Sequence, residues 1–170
     1  LMVAGGAEEL CVSQAAVFDT LYATSRKNDA PKTSPSPFDP DRDGLVNGEG
    51  ACTLILEERE PALARGARIY AEILGFGCNS HGDHATHPNT HTMEQAMRLG
   101  QKERELPRES IEYVNCHGTA TEQGDIAESQ ATMRLFGKRM PVSSLKGNTR
   151  HTLGACGALE SWWTIEMMRH

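Results

Sequence analysis

The segment IEYVNCHGTATEQGDIAESQATMRLFGKRMPVSSLK, residues 111–146, decides the fold class because its pattern indicates a strand, a helix and a strand in succession. Residues 111–116 are rich in β-branched and aromatic side chains before a turn that contains glycine, which predicts a strand. A helix is predicted over 125–136, ended by Gly137, and a further strand over 140–146. Strands that alternate with helices in this order predict an α/β layered domain.

The same alternation extends to the rest of the chain. We predict a buried strand over residues 1–4 that ends at Gly5-Gly6, and a helix over 8–21. Residues 25–50 form a long irregular stretch rich in Pro, Asp, Gly and Ser, and such a loop is usually functional, an interface or disordered. The other predicted elements are strands over 51–58 and 68–77, a short helix over 59–67, a helix over 92–102 and a helix that begins near Gly154.

The composition argues against several classes of protein. The chain has 170 residues, a formal net charge of −6 and five cysteines. The acidic balance argues against nucleic acid or an anionic membrane surface as the main partner, and no apolar run approaches the roughly 18 residues that span a bilayer. Five scattered cysteines without CxxC spacing predict thiols in a reducing compartment. We therefore expect a soluble cytoplasmic protein.

Both ends of the sequence are unusual for natural termini. An apolar run begins at residue 1 without an initiator methionine, and ALESWWTIEMMRH stops inside a helical pattern without a capping Gly or Asn. These features predict that the sequence is a piece of a longer protein.

Cys116 and His117 are neighbours in the sequence and suggest a nucleophile with its base. Successive side chains of a strand point to opposite faces, so a strand that continues through His117 separates the thiol from the imidazole. A nucleophile and its base must approach within about 3 Å. We therefore predict that Cys116 is a buried structural thiol, because free cysteine is among the most buried residue types, and that His117 has the better claim to chemistry.

A second group of candidates lies in SSLKGNTRHTLGACGALE, residues 143–160. Lys146 leaves a strand, His151 follows five residues later, and a run of small residues then opens a helix. The positive end of a helix dipole disfavours a protonated imidazole, so His151 is expected to stay neutral and to donate an N–H to a developing oxyanion. The alternative is a solvated loop lysine beside a histidine in a turn.

Glu128 has two interpretations. Asp125 and Glu128 have the spacing of a capping box, with Asp125 in the Ser/Thr place at the start of the predicted helix. Alternatively, Glu128 or Glu160 neutralises Lys146 in a buried site, since an unpaired buried ammonium is costly.

Four histidines occur in HGDHATHPNTH, residues 81–91, namely His81, His84, His87 and His91. Such a cluster suggests a structural metal. Gly, Pro and Asn within the segment favour a loop over a helix that presents the four rings on one face, and no Cys or Glu completes an ordered ligand set. We expect no metal, and we favour a loop that lines the entrance of an active site.

Several of these motifs occur in one order and at compatible distances: PFDPDRDGLVNGEGACTLILEE, HGTAT, the Lys146 to His151 spacing and HTLGACGA. Together they resemble the β-ketoacyl-acyl carrier protein synthases, which are elongating condensing enzymes of the thiolase fold. The resemblance implies a thiolase-like αβαβα fold, of which this chain is an incomplete segment. Residues 1–68 then form the end of the N-terminal half, and residues 69–170 form the beginning of the C-terminal half.

The resemblance also implies a Cys–His–His enzyme, in which a cysteine carries the acyl chain as a thioester and malonyl-acyl carrier protein loses CO2. His117 and His151 match the two family histidines that support decarboxylation and polarise the thioester oxygens. Lys146 matches the lysine of the family site, and Glu128 and Glu160 match its acidic neighbours.

Two further pairs of residues match positions that receive the substrate. Thr119 and Thr121 match threonines that contact the phosphopantetheine arm, and His84 and Thr86 resemble loop residues near the acyl and malonyl entrance. The resemblance implies no cofactor beyond the phosphopantetheine of the acyl carrier protein. It implies that carrier protein as a partner, and either a homodimer or a ketosynthase-like heterodimer.

The sequence also departs from the family. No cysteine lies in the small-residue context of the family nucleophile, so the segment alone is expected to be inactive. Arg150 stands where the family usually has Gly before its second histidine. Two alternatives remain: a non-catalytic ketosynthase-like partner subunit of the chain-length-factor type, and a small stand-alone binding or metal protein.

Overall fold

The computed structural model describes residues 1–83, 87–102 and 105–170. This part of the chain contains both strands and helices, as expected for an α/β domain. The strands are β1 (Met2–Glu8), β2 (Gly50–Leu56), β3 (Val114–Asn115) and β4 (Val142–Ser143). The α-helices are α1 (Val12–Thr20), α2 (Arg59–Ala64), α3 (Thr90–Lys102), α4 (Glu122–Phe136), α5 (Lys146–Thr149) and α6 (Cys156–Met167). Short 3-10 helices span Pro31–Thr33, Arg108–Ser110 and Leu153–Ala155.

Strands β1 and β2 form an antiparallel pair in which Met2 lies opposite Leu56 and Glu8 lies opposite Gly50. The prediction that β1 ends at Gly5-Gly6 is wrong, since the strand continues through both glycines. They are required inside the strand because a Cβ on Gly5 would strike the carbonyl of Cys52, and one on Gly6 would strike the carbonyl of Gly154. The glycines therefore mark a close backbone approach.

The prediction that the first strand is buried is also wrong for this chain. Met2 and Val3 are 63% and 66% exposed. Within the described residues, β2 is the only strand paired with β1, and helix α6 packs against the same pair of strands. The apolar side chains on the open face of β1 therefore have no covering layer here.

Strands β3 and β4 are parallel, with Val114 opposite Val142 and Asn115 opposite Ser143, and α4 connects them. The predicted strand–helix–strand unit is therefore confirmed. The two strands are shorter than expected, because backbone pairing is confined to these two positions. Lys146 begins helix α5 rather than continuing β4.

Residues 68–77 were predicted to be a strand, and this prediction is wrong. The segment has no regular secondary structure, because no other strand of the described chain pairs with it. The predicted helices are confirmed with shifted starts: α1 begins at Val12, α3 at Thr90 and α4 at Glu122.

Helix α4 carries much of the interior through a face of small and aliphatic residues. Ala127, Ala131 and Leu135 are buried along it, and α3 packs against the same helix. Gly137 ends it with a φ of 88°, a conformation that glycine adopts without steric cost. In the part of the chain that the structure describes, no helix has the length and apolar character needed to cross a membrane.

Candidate active site

The structure brings His117 and His151 together. His117 follows β3, and His151 lies between α5 and the 3-10 helix Leu153–Ala155. Their ring centroids are 5.0 Å apart, with the ring planes at 82°. Two residues that are distant in sequence thus present their imidazoles to one small volume.

The backbone of His151 is held by the long irregular loop. Its N–H donates to the carbonyl of Val46 at 2.8 Å, and its carbonyl accepts from the N–H of Gly48 at 3.0 Å. A Cβ on Gly48 would lie 2.6 Å from the Thr149 oxygen, so only glycine permits this approach. The loop that the sequence left without a role therefore positions one of the two histidines.

Both imidazoles are held in the neutral form. Burial, followed by the nearby charge of Lys146, lowers the pKa of His151 to about 4. Desolvation by neighbouring groups, followed by the charges of Lys146 and His151, also lowers the pKa of His117 to about 3, although the residue as a whole is exposed to solvent. The expected neutrality of His151 agrees with this shift, but the main cause is desolvation rather than the helix dipole.

The proton position on His151 follows from its neighbours. The N–H of Leu153 donates to Nδ1 at 3.2 Å, so Nδ1 is an acceptor and the proton of the neutral ring resides on Nε2. An Nε2–H is the group required to donate to a developing oxyanion.

Glu128 fixes the turn after β3. Its carboxylate accepts from the N–H of His117 at 2.7 Å and from the N–H of Gly118 at 2.8 Å. Burial raises the pKa of Glu128, while these two hydrogen bonds oppose the shift. Glu128 therefore holds the backbone that carries His117.

Glu160 is the partner of Lys146. The Lys146 Nζ lies 2.5 Å from Glu160 Oε1, and the lysine side chain is 1% exposed. A buried ammonium requires such a partner. Of the two acids considered for this role, the structure selects Glu160, which reaches the lysine from α6.

The capping-box interpretation of Asp125 is wrong. Helix α4 begins at Glu122 with Thr121 as its N-cap, which places Asp125 within the first turn. Its carboxylate instead accepts from the N–H of Phe38 at 2.7 Å and from that of Ala120 at 3.1 Å.

Arg42 completes this cluster, with its Nε 3.4 Å from the Asp125 carboxylate. The same guanidinium donates to the carbonyl of Glu122 at 2.9 Å. Sequence reasoning missed these contacts between the irregular loop and α4. The only signal was the motif PFDPDRDG, whose charged residues had no assigned partner.

The two threonines predicted to receive the pantetheine arm lie side by side. The hydroxyls of Thr119 and Thr121 are 2.9 Å apart, and Thr119 is buried. Their contact with pantetheine stays a prediction. The other predicted entrance residues, His84 and Thr86, lie outside the described residues.

Two of the four histidines in residues 81–91 have visible neighbours, and one of them, His91, lies on α3 rather than in the predicted loop. The Nδ1 of His81 accepts from the N–H of Asp83 at 2.9 Å, and the His91 ring contacts the Gln95 amide at 3.0 Å. Among the residues that the structure describes, no group of three or more His, Cys, Asp or Glu is arranged to hold a metal ion.

The cysteines fall into distinct environments. Cys116 is 2% exposed, and burial, together with the charges of Glu128 and Asp125, raises the pKa of its thiol to about 12. The prediction of a buried structural thiol is confirmed. Cys156, to which sequence reasoning gave no role, places its Sγ 3.1 Å from His151 Nδ1.

Comparison with known proteins identifies the family. Residues 1–62 match the family described as the N-terminal domain of beta-ketoacyl synthase, and residues 70–170 match the corresponding C-terminal domain. The chain belongs to the β-ketoacyl synthase family. It is 41% identical over 170 residues to 3-oxoacyl-[acyl-carrier-protein] synthase 1 of Haemophilus influenzae, with 99% of this chain aligned.

Solved β-ketoacyl synthase structures confirm the thiolase-like α/β fold of the segment. A beta-ketoacyl synthase from Burkholderia phymatum is 64% identical with a TM-score of 0.97, and the alignment covers 99% of this chain and 41% of that one. The ishigamide ketosynthase/chain length factor is 35% identical with a TM-score of 0.85, over 94% of this chain and 38% of that one. The chain also spans 41% of the Haemophilus synthase.

Proposed function

We propose that the protein containing this chain catalyses decarboxylative Claisen condensation of an acyl thioester with malonyl-acyl carrier protein. In this reaction the malonyl C–C bond breaks, CO2 leaves, and the electron pair becomes an enolate. The enolate carbon attacks the acyl thioester carbonyl, the enzyme thiolate leaves, and a 3-oxoacyl-acyl carrier protein forms. The segment alone is inactive in this proposal, because it lacks the nucleophilic cysteine.

One observation carries the proposal: two neutral imidazoles, those of His117 and His151, share one volume beside the buried Lys146. An enolate oxygen needs donors that are already in place before the charge develops. One preorganised donor is typically worth about 3 kcal/mol of transition-state stabilisation. Neutral rings suit this role because they donate an N–H without requiring a proton to be taken up first.

The supporting residues have roles that follow from their contacts. The ion pair of Lys146 with Glu160 keeps a positive charge fixed near both rings, which favours their neutral forms. Glu128 holds the turn that carries His117. Thr119 and Thr121 offer two adjacent hydroxyls, which we assign to the phosphopantetheine arm together with His84 and Thr86.

The wider assignments rest on the family. The proposed partner is acyl carrier protein, which the name of the Haemophilus relative includes, within a homodimer or a ketosynthase-like heterodimer. We further propose a cytoplasmic location, no cofactor other than carrier-bound phosphopantetheine, and a division into an N-terminal part over 1–68 and a C-terminal part over 69–170.

A direct test replaces each histidine in the full-length protein. His117→Ala and His151→Ala are each expected to slow CO2 release from malonyl-acyl carrier protein by about 100-fold or more, because each removes one preorganised donor. His91→Ala, which removes an imidazole from α3 outside the site, serves as the matched control and should retain the rate. Unchanged CO2 release in both site variants would sink the assignment.

A non-catalytic partner subunit is the second candidate function. The similarity to the ishigamide ketosynthase/chain length factor structure favours its consideration. The residue at the nucleophile position of the full-length protein separates the two candidates, since cysteine supports the enzyme and glutamine supports the partner subunit. A partner subunit would also release no CO2 on its own.

A further inference from the structure

Cys156 lies at the start of α6, on the Nδ1 side of the His151 ring. Its Sγ is 3.1 Å from Nδ1, and the hydroxyl of Thr152 donates to the same sulfur at 3.3 Å. Thr152 and Cys156 are 2% and 7% exposed, so these contacts are shielded from water. The three groups form a continuous hydrogen-bonded chain from hydroxyl to thiol to imidazole.

The direction of this chain is set by two donors. The Leu153 N–H donates to Nδ1, which favours the tautomer without a proton on Nδ1; in that tautomer the thiol S–H is the donor in the contact with Sγ and shares the Nδ1 lone pair with the N–H. The Thr152 hydroxyl donates to the sulfur from the other side. An imidazolium paired with a Cys156 thiolate would instead place a hydrogen on Nδ1, against the Leu153 N–H.

We infer that Cys156 is a positioning residue for His151, whose thiol, oriented by Thr152, donates to Nδ1 and holds the ring as the tautomer with its proton on Nε2. This inference rests on the proposed function, in which His151 donates from Nε2 to an enolate oxygen. The backbone donor of Leu153 alone would leave the ring with a single support. Thr152 and Cys156 give the ring a second support that comes from side chains.

The environment argues against Cys156 acting as a nucleophile itself. Its sulfur contacts Nδ1 of His151, whereas the proposed donor to the substrate is Nε2 on the other side of the ring. Cys156 is also almost completely buried. The imidazole and the Thr152 hydroxyl both contact the sulfur, and little of the residue is open to an incoming thioester carbonyl. The thiol therefore acts on the reaction through His151.

Other charged and titratable groups also influence this imidazole, and the test must separate them from the thiol. Lys146 disfavours the protonated ring, and its charge is balanced by Glu160. The groups that face His151 or its neighbouring backbone are those of Glu8, His117, Lys146, Arg150, Cys156 and Glu160. The Cys156 variants used in the test change only the thiol and keep the other groups.

The test follows the titration of His151 in the full-length protein by NMR of labelled histidine side chains, with the signal assigned through His151→Asn. Cys156→Ala removes a donor that favours the neutral ring, so the titration midpoint should rise by about half a pH unit to one unit. Cys156→Ser keeps a donor and should hold the midpoint near that of the unmodified protein. The acid limb of CO2 release should move with the midpoint in each variant.

The matched control is Cys116→Ala, which removes another buried thiol that the structure does not place against an imidazole nitrogen. The inference is overturned if Cys156→Ala leaves the midpoint unchanged or shifts it no more than Cys116→Ala does. It is also overturned if Cys156→Ser shifts the midpoint upward as far as Cys156→Ala. Because the NMR titration needs no turnover, a protein that releases no CO2 would count against the proposed function while the role of Cys156 is still decided.

Discussion

Arg150 adopts a backbone conformation that favours glycine, directly before His151. Its φ is 69° and its ψ is −177°, a region that residues with a Cβ rarely occupy. Its guanidinium donates to the carbonyl of Gly147 at 2.9 Å, which satisfies a carbonyl of α5. The close approach of Gly48 and the backbone hydrogen bonds of His151 hold the Arg150 backbone in this conformation. Arg150 therefore retains strain of about 1–3 kcal/mol.

This strain predicts an unusual order of stability among variants of the full-length protein. Arg150→Gly relieves the strain and loses one hydrogen bond, whereas Arg150→Ala loses the bond and keeps the strain. The glycine variant should therefore unfold with a free energy higher than that of the alanine variant by about 1 kcal/mol or more. Urea denaturation measures the difference, and an alanine variant of equal or greater stability would contradict the strained backbone.

At the scale of elements, the irregular loop and the first turn of α4 act as one unit. Asp125 is 1% exposed and gathers the Phe38 N–H, the Ala120 N–H and the Arg42 guanidinium. Burial raises the pKa of Asp125, against the effect of these partners. The carboxylate thus ties the turn that follows His117 to the loop that holds His151.

Removal of this carboxylate should loosen the whole unit. Asp125→Ala leaves two backbone N–H groups and the Arg42 charge without their acceptor, so the free energy of unfolding should fall by about 3 kcal/mol. Hydrogen exchange at Phe38 and Ala120 should accelerate in parallel. Asp41→Ala, which removes an exposed carboxylate from the same loop, is the control, and an equal loss of stability in both variants would refute this role.

The elements that the sequence predicted correctly are those specified by local pattern. The unit β3–α4–β4 could be predicted because the change from a strand pattern to a helix pattern and the helix-ending Gly137 are both local features of the sequence. The strand predicted over residues 68–77 does not form, because strand propensity alone does not provide a neighbouring strand to pair with. The capping-box prediction for Asp125 is wrong because it used only the local spacing to Glu128, whereas the Asp125 carboxylate accepts from the N–H of Phe38, 87 positions away.

For the candidate site, the resemblance to the β-ketoacyl-acyl carrier protein synthases placed His117, His151 and Lys146 in one group, and the structure brings them together. The choice of Glu160 over Glu128 as the lysine partner could not be made from sequence, because both acids lie at plausible distances along the chain. The thiol at Cys156 was missed for a related reason. A small residue at a helix start is expected for packing, and its contact with an imidazole depends on the turn geometry at Leu153.

At the scale of the whole molecule, the neutral histidines make stability depend on pH. An unfolded histidine binds a proton near pH 6.5, whereas the folded pKa of His151 is about 4. The unfolded state therefore holds more protons between these values, so the stabilisation is fully present above about pH 6.5 and is lost as the pH falls towards 4.

Replacing His151 should flatten this dependence in the full-length protein. The slope of unfolding free energy against pH, measured by urea denaturation between pH 6 and pH 5, should be smaller in His151→Asn by roughly 1 kcal/mol per pH unit. His91→Asn removes an imidazole outside the site and should leave the slope unchanged. Parallel slopes for His151→Asn and the unmodified protein would show that this imidazole is not held neutral by the fold.

The backbone ties around His151 also bear on how the protein is made. Glu8 accepts from the N–H of Gly154, 146 residues later, and Gly48 donates to the carbonyl of His151. During synthesis on the ribosome, the loop that seats this histidine leaves the exit tunnel long before the histidine itself is translated. Contacts between residues this far apart in the sequence require long loops to close, which slows folding, so the two imidazoles come together only after the segments that carry them have met.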